Sequence, residues 1–383
     1  MILTVTVNAA VDKTLTVANF QLGHRHRAQQ GLIVPGGKGI NVARTLKRLG
    51  DPVIATGLAG GRTGVHILDG LSQEGILNDF VRIGAESRTS TAVVDPTSGL
   101  QTEINEYGPE VTADEIATLL EKIRYLSGAV KVVVFAGSLP RKVDTGFYAD
   151  VVRDMHKRRV RTVVDTEGEP LRLALAAEPN MIFPNQREAE ALVGHEFQTD
   201  EDFQNALLEL RDRGAANAVI TLKTGCYALL ASGGRGRHRM YRAWIPRIEA
   251  VSAVGSGDAF LGGFVSAQQT GRGEADCVRH GLAVGAANTQ TVGAGVFDLR
   301  DVPRYAAMVE VEEIRPRAAA VSSPLGCRAC PPTTEHRRPA REPARGSGVH
   351  RRRDRAGAAG AGDQCGDRRL RAPAGGGRGA RRR

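Results

Sequence analysis

The sequence predicts an α/β fold, a three-layer α/β/α domain carrying a small β-sheet lid. Three observations point to it. Short β-branched runs alternate with helical patterns from Ile2 to about residue 291, as in a mainly parallel sheet covered on both faces. Val130–Phe135 is a continuous apolar run, which suits a strand buried on both sides. Two stretches, 13–34 and 88–107, break the alternation with extended runs and no helix between them.

The elements follow in order. Ile2–Val7 reads as a strand, and Gly39–Leu49 as a helix with Ile40, Ala43, Leu46 and Leu49 at helical spacing. Val53–Leu58 is a strand and Gly64–Gln73 a helix. Thr112–Leu126 is a long helix announced by Thr112 with Glu115 three residues on, a capping box. The buried strand at 130–135 precedes a helix over Asp144–Lys157 and a strand at Thr162–Asp165. Helices are expected near 186–193 and 201–213, then strands at Val219–Leu222, Tyr227–Ala231 and Met240–Ile245. Helices 257–269 and 274–291 close the domain. Thr14–Val17, Gly31–Val34, Ser90–Val94 and Gln101–Asn105 are expected to form a small antiparallel sheet. One solvated face of such a sheet needs a cover, either a ligand or a second subunit.

Composition narrows the class. Of 383 residues, 41% are hydrophobic and 25% charged, a globular balance, and only 4% are aromatic, so the core must be aliphatic. The net charge of +10 suggests nucleic acid until it is mapped. Residues 315–383 hold 18 Arg and 5 acidic residues, leaving residues 1–314 at a net −3. The domain is therefore 1–314, mildly acidic, and 315–383 is expected to be a disordered Arg/Gly/Ala/Pro-rich tail. Three readings of that tail stand: an arm binding polyanions non-specifically, an inert solvated tail, or a GC-rich message read out of frame. Cys327 and Cys330 lack a second ligand pair, which argues against zinc. No apolar run is long enough to span a membrane, and the start lacks a signal-peptide pattern. A cytoplasmic protein is expected, and the five cysteines do not make a disulfide framework.

Two glycine strings carry chemistry. In Gly255-Ser256-Gly257-Asp258-Ala259-Phe260, small residues precede an Asp that opens an apolar helix. Gly255 and Gly257 let backbone N–H groups turn inward as an anion-binding nest, and the helix adds the positive end of its dipole. Beside a bound phosphate, Asp258 could take the proton of an attacking hydroxyl. The plain alternative is a Gly-rich turn with a capping Asp. In Pro35-Gly36-Gly37-Lys38-Gly39-Ile40-Asn41, consecutive glycines admit a ligand close to the backbone, Asn41 can bond a hydroxyl, and Lys38 offers charge. Here the alternative is a strand-to-helix turn, and the spacing is not that of a Walker A loop.

Together these strings, in this order, resemble the ribokinase-like (PfkB) carbohydrate kinase family over about residues 1–314. Asn8-Ala9-Ala10-Val11-Asp12, Ser87-Arg88-Thr89, Ala136-Gly137-Ser138-Leu139-Pro140 and Pro184-Asn185-Gln186-Arg187-Glu188 are similar to its phosphosugar branch. The resemblance implies ATP-dependent phosphorylation of a phosphorylated ketohexose, with fructose 1-phosphate favoured. Alternatives are tagatose 6-phosphate, fructose 6-phosphate, an unphosphorylated sugar or nucleoside, and a sugar-sensing regulator with a polyanion-binding tail.

It also implies roles. Asp258 is the base, with Gly255, Ser256 and Gly257 as its anion hole. Asp12, Gly37, Gly39, Asn41 and Ser138 hold the sugar. Arg27, Lys38 and Arg88 hold its existing phosphate, as a dianion in a partly desolvated cleft requires. Asn185 and Glu188 organise Mg²⁺, Glu188 through water. Asn185, Thr221, Gly225, Gly257 and Asn288 lie along the ATP cleft. Read as residues alone, Arg27 and Arg88 are equally solvated charges, Glu188 a helix-face acid and Asn288 helix packing. A homodimer through the lid is implied as well. Pro140-Arg141-Lys142 departs from the family's usual Pro-Pro-Gly and adds two charges near the sugar side.

Overall fold

A computed structural model describes residues 1–232 and 237–314; the expectations for 315–383 lie outside these. In chain order the strands are β1 (Ile2–Thr6), β2 (Ala10–Thr16), β3 (Gln30–Gly36), β4 (Val53–Gly60), β5 (Leu77–Asn78), β6 (Val81–Ile83), β7 (Arg88–Asp95), β8 (Leu100–Asn105), β9 (Val132–Ala136), β10 (Arg161–Asp165), β11 (Met181–Ile182), β12 (Ala218–Leu222), β13 (Gly225–Ala231), β14 (His238–Trp244) and β15 (Glu310–Ile314). The helices are α1 (Lys38–Arg48), α2 (Gly61–Gln73), α3 (Ala113–Ser127), α4 (Phe147–Lys157), α5 (Gly168–Leu175), α6 (Gln186–Val193), α7 (Asp200–Asp212), α8 (Ser256–Gln269), α9 (Glu274–Asn288) and α10 (Asp301–Met308).

The main sheet runs β15-β14-β13-β12-β11-β10-β9-β1-β4-β5, with β6 also on β4. It is parallel from β12 through β4 to β5 and antiparallel from β12 to β15. Alternate residues of one strand enter opposite cores. Ile2 belongs to the core that also holds Ile40, Leu261 and Val284, from α1, α8 and α9. Leu3 belongs to the opposite core, with Ile123, Val152 and Leu207 from α3, α4 and α7. Period-two alternation thus makes one sheet into the middle of three layers. The capping box at Thr112 and Glu115 is present, and α3 starts where it places the start.

The second sheet runs β3-β2-β7-β8. An all-antiparallel lid was the expectation, and the sheet is mixed. β2 pairs antiparallel with β3 but parallel with β7, as Asp12 opposite Ser90. β2 and β3 follow each other closely, whereas β7 arrives after the β4–β6 segment and enters from the same end as β2.

Three other differences have local causes. α5 escapes a periodicity reading because Pro170 interrupts its pattern, yet in the first turn no intrahelical N–H bond is lost. The helix expected from Asp144 begins at Phe147, because the Asp144 carboxylate accepts the Gly146 N–H at 2.7 Å and holds a turn there. The domain does not close at residue 291. α10 and β15 follow, and β15 (Glu-Val-Glu-Glu-Ile) is an edge strand whose charges mask its pairing with β14.

Candidate active site

The turn after β3 places the first group of side chains. A Cβ on Gly36 would stand 2.0 Å from Cγ of Asp12, so the Asp12 carboxylate lies against bare backbone. Gly37 caps α1 with φ 102°, a left-handed value that glycine tolerates, and its missing Cβ would meet Thr6 at 2.8 Å. One helical turn in, Asn41 is buried and donates from Nδ2 to Oδ2 of Asp258 at 2.8 Å. The two glycine strings, more than 200 residues apart, are thereby joined by one hydrogen bond.

The second string starts α8. Gly255 is its N-cap at φ 70°, and a Cβ there would lie 2.2 Å from the Ala294 methyl. The Ser256 N–H points to the Ala253 carbonyl at 3.2 Å. The Gly257 N–H stands in the first turn, where the helix offers no acceptor. A Cβ at Gly257 would touch nothing within 4 Å, so open space lies above it. Asp258 is buried, and burial pushes its carboxyl up to about 7. Asp165 acts in the same direction within that value, against Lys38 and the Asn41 amide, which favour the ionised form. Burial likewise lifts Asp12 to about 6, opposed by Arg44, Arg88 and the Gly37 N–H.

Lys38 does not stand free as a phosphate clamp. Its Nζ bonds Asp165 Oδ1 at 2.8 Å and lies 3.9 Å from Glu188 Oε1. Burial pulls its pKa down, but Asp165, Glu188 and Asp258 outweigh that and hold it above its usual value. Asn185 and Glu188 form a capping box on α6: Asn185 Oδ1 accepts from the Glu188 N–H at 3.0 Å, and Glu188 Oε2 from the Asn185 N–H at 2.8 Å. That leaves Glu188 Oε1 towards Lys38. Burial raises the Glu188 pKa, as does the neighbouring Asp165, while Lys38 lowers it.

These groups line one cavity of about 700 Å³, together with Arg88, Ser138, Thr221 and Gly255–Asp258. Arg88 donates from Nε to the Asn8 carbonyl at 3.3 Å; burial lowers its pKa, against Asp12 and Glu106. Ser138 Oγ accepts from Asn8 Nδ2 at 3.1 Å. Four expected residues lie outside the lining. Arg27 is exposed on the segment between β2 and β3. Gly39 is packed on β1, where a Cβ would stand 2.4 Å from Thr6 Oγ1. Gly225 opens β13, and a Cβ there would stand 2.3 Å from the Ala243 carbonyl. Asn288 is fully buried, donating to the Val254 carbonyl and accepting from the Gly295 N–H, both at 2.8 Å; it braces the loop under Gly255.

Among the residues at or beside the site that the sequence reading did not single out are Asp165 and Arg44, which bond Lys38 and Asn41 respectively. Asp165 ends β10 inside an ordinary Thr-Val-Val-Asp strand, with no local signal beyond a carboxylate at a strand's C-terminal end, where sites in parallel sheets gather. Arg44 reads as a charge on a helix face, and only the fold buries it.

The family model for pfkB family carbohydrate kinases matches residues 4–300. The 1-phosphofructokinase of Borreliella burgdorferi is 32% identical over 314 residues, 82% of this chain and 99% of that protein. A Thermotoga maritima structure described as a possible 1-phosphofructokinase superposes with TM-score 0.74 at 26% identity, covering 82% of this chain and all of that one. Phosphofructokinase-2 from Escherichia coli, in complex with fructose-6-phosphate, gives 0.71 at 27%, covering 80% and 98%. The chain belongs to the pfkB family of carbohydrate kinases and is an ATP-dependent sugar kinase.

Proposed function

We propose that the protein phosphorylates fructose 1-phosphate at its C6 hydroxyl, yielding fructose 1,6-bisphosphate and ADP. The observation that carries this is a buried Asp258 in the first turn of α8, held by Asn41 and opening on a cavity that Arg88 also lines. The hydroxyl oxygen attacks the γ-phosphorus, its proton passes to Asp258, and the bond from phosphorus to the leaving ADP oxygen breaks. The free N–H of Gly257 and the start of the α8 dipole face charge on the transferring group. Asp12 bonds sugar hydroxyls, with Asn41 and Ser138 beside it. Arg88 holds the distal phosphate and orients the reacting end, while Lys38 is engaged by Asp165. Arg27, exposed between β2 and β3, does not line the cavity.

Asp165 Oδ1 and Glu188 Oε1, now turned towards the Lys38 ammonium at 2.8 and 3.9 Å, are oxygen donors of the kind a hard divalent cation takes in its place. Asp165, Glu188 and Asn185 would hold Mg²⁺, which when bound neutralises nucleotide phosphate charge. We also infer a homodimer through the lid. Ile33 and Ile104, 52% and 62% exposed, lie on one face of it in register with Lys13 and Thr91. No described helix is long and apolar enough to cross a membrane, and we infer a cytoplasmic enzyme.

The test is ADP release with Mg·ATP against fructose 1-phosphate, fructose 6-phosphate, tagatose 6-phosphate, fructose and ribose. A kcat/KM for fructose 1-phosphate at least tenfold above the others is expected. A different phosphosugar in first place would replace the substrate and keep the clamp. Preference for a free sugar would remove the clamp.

A further inference from the structure

Arg44 lies in α1 one turn after Asn41 and is 93% buried, 7% of it being exposed. A guanidinium has five N–H donors in a fixed plane. All five are used here. Nε and one Nη2 hydrogen grip the Glu74 carboxylate at 2.6 and 3.0 Å, a bidentate pair at the C-terminal cap of α2. The other Nη2 hydrogen goes to the Pro35 carbonyl at 2.6 Å. The two Nη1 hydrogens go to the Ala294 carbonyl at 3.0 Å and to Asn41 Oδ1 at 3.1 Å.

Three of the four acceptor residues, Pro35, Ala294 and Asn41, adjoin or line the reaction site. Pro35 precedes Gly36, against which Asp12 rests. Ala294 is the residue packed on Gly255, the N-cap of α8. Asn41 Oδ1, once it accepts from Arg44, forces the Asn41 NH₂ to the opposite side, where Asp258 is its acceptor. An Asn side chain has two nearly isosteric orientations, and the reverse one would turn an oxygen towards a carboxylate. Salt bridging to Glu74 alone accounts for two of the five donors, not for the choice of the other acceptors.

We propose that Arg44 is a positioning residue for phosphoryl transfer: through Asn41 Oδ1, Pro35 and Ala294 it fixes the Asn41 amide on Asp258 and holds the two glycine turns at one separation. The kinetic consequence rests on the reading of Asp258 as base; the geometric one does not. Lysine at this position keeps the charge near Glu74 but has a single nitrogen, which cannot reach three separated acceptors. Arg44→Lys should lower kcat by about 10- to 100-fold, the scale of a displacement near 1 Å at a reacting group, with KM for Mg·ATP within about threefold. Glu74→Gln, which touches only the far side of the guanidinium, should lower Tm and leave kcat within about threefold. In a double-mutant cycle, Asn41→Ala added to Arg44→Lys should cost much less than Asn41→Ala alone.

Equal kcat losses from Glu74→Gln and Arg44→Lys, or losses of Arg44→Lys and Asn41→Ala that simply multiply, would overturn the proposal. Should Arg44→Lys not fold, the unaltered protein still answers by NMR. Resolved, slowly exchanging Nη protons of Arg44 and a protected Asn41 side-chain amide are expected; rapidly averaging Nη protons would overturn it. Full turnover by Asp258→Asn would instead sink the base assignment while leaving the NMR result standing.

Discussion

Asp258 sits where two forces on one carboxyl nearly balance. Burial favours the proton; the Asn41 N–H and Lys38 favour its loss, and the result is a group near 7. A base that protonates there loses function as pH falls, so kcat should decline below about pH 7 with the slope of one proton. Asp258→Asn should cut kcat by orders of magnitude and flatten that limb. Its effect on stability runs the other way. A carboxyl raised from 3.8 to about 7 contributes stability fully present below about pH 4 and lost as pH rises through 7. At pH 8 the Asn variant, with no buried charge to keep, should melt higher than the parent. Thermal melts at pH 8 check this, and an unchanged or lower Tm would contradict the stored cost. Asp258 and Asn41 were legible in the sequence because each stands inside a glycine string whose backbone chemistry is local, whereas Asp12 was reached only through the family resemblance of Asn8–Asp12. Asp165 and Arg44 were not, because their meaning comes from partners 127 and up to 250 residues away.

At the scale of the element, the start of α8 shows why one glycine is not another. Gly255 needs its left-handed φ and would collide with Ala294 if it had a Cβ. Gly257 has helical backbone and free space above it, so the fold does not require it. Gly255→Ala should therefore lower Tm and expression of folded protein. Gly257→Val should fold with Tm within a few degrees, yet lose about tenfold or more in kcat/KM for Mg·ATP, because its side chain enters the cavity. Equal losses of Tm in both variants would undo the distinction. Most helices and strands were legible from period and caps, α3 and α6 to within a residue of their ends. The lid's pairing was not, since runs of Thr and Val identify strands and say nothing of direction. β15 was hidden for a different reason, as an edge strand is allowed to be charged.

For the whole molecule, the charge map separates a domain of net −3 from an arginine-rich end. Among the described residues the sheet ends with β15, whose last residue is Ile314. Ending the chain there should leave kcat/KM unchanged and remove low-salt retention on nucleic acid. Ending it at Val309, which strips β15 from β14, should lower Tm. A loss of activity on the first truncation would show that residues 315–383 belong to the enzyme.

The position of β1 has a consequence in time. It leaves the ribosome before the other described strands, and it lies between β4 and β9 with Ile2 opposite Val132. At translation rates of ~5–20 residues per second, Val132 emerges roughly 7–26 seconds after Ile2. Throughout that interval one edge of Ile-Leu-Thr-Val-Thr has no strand to meet. The nascent chain therefore carries an unpaired apolar strand edge for nearly half the synthesis of residues 1–314, a template for mispairing until β9 arrives.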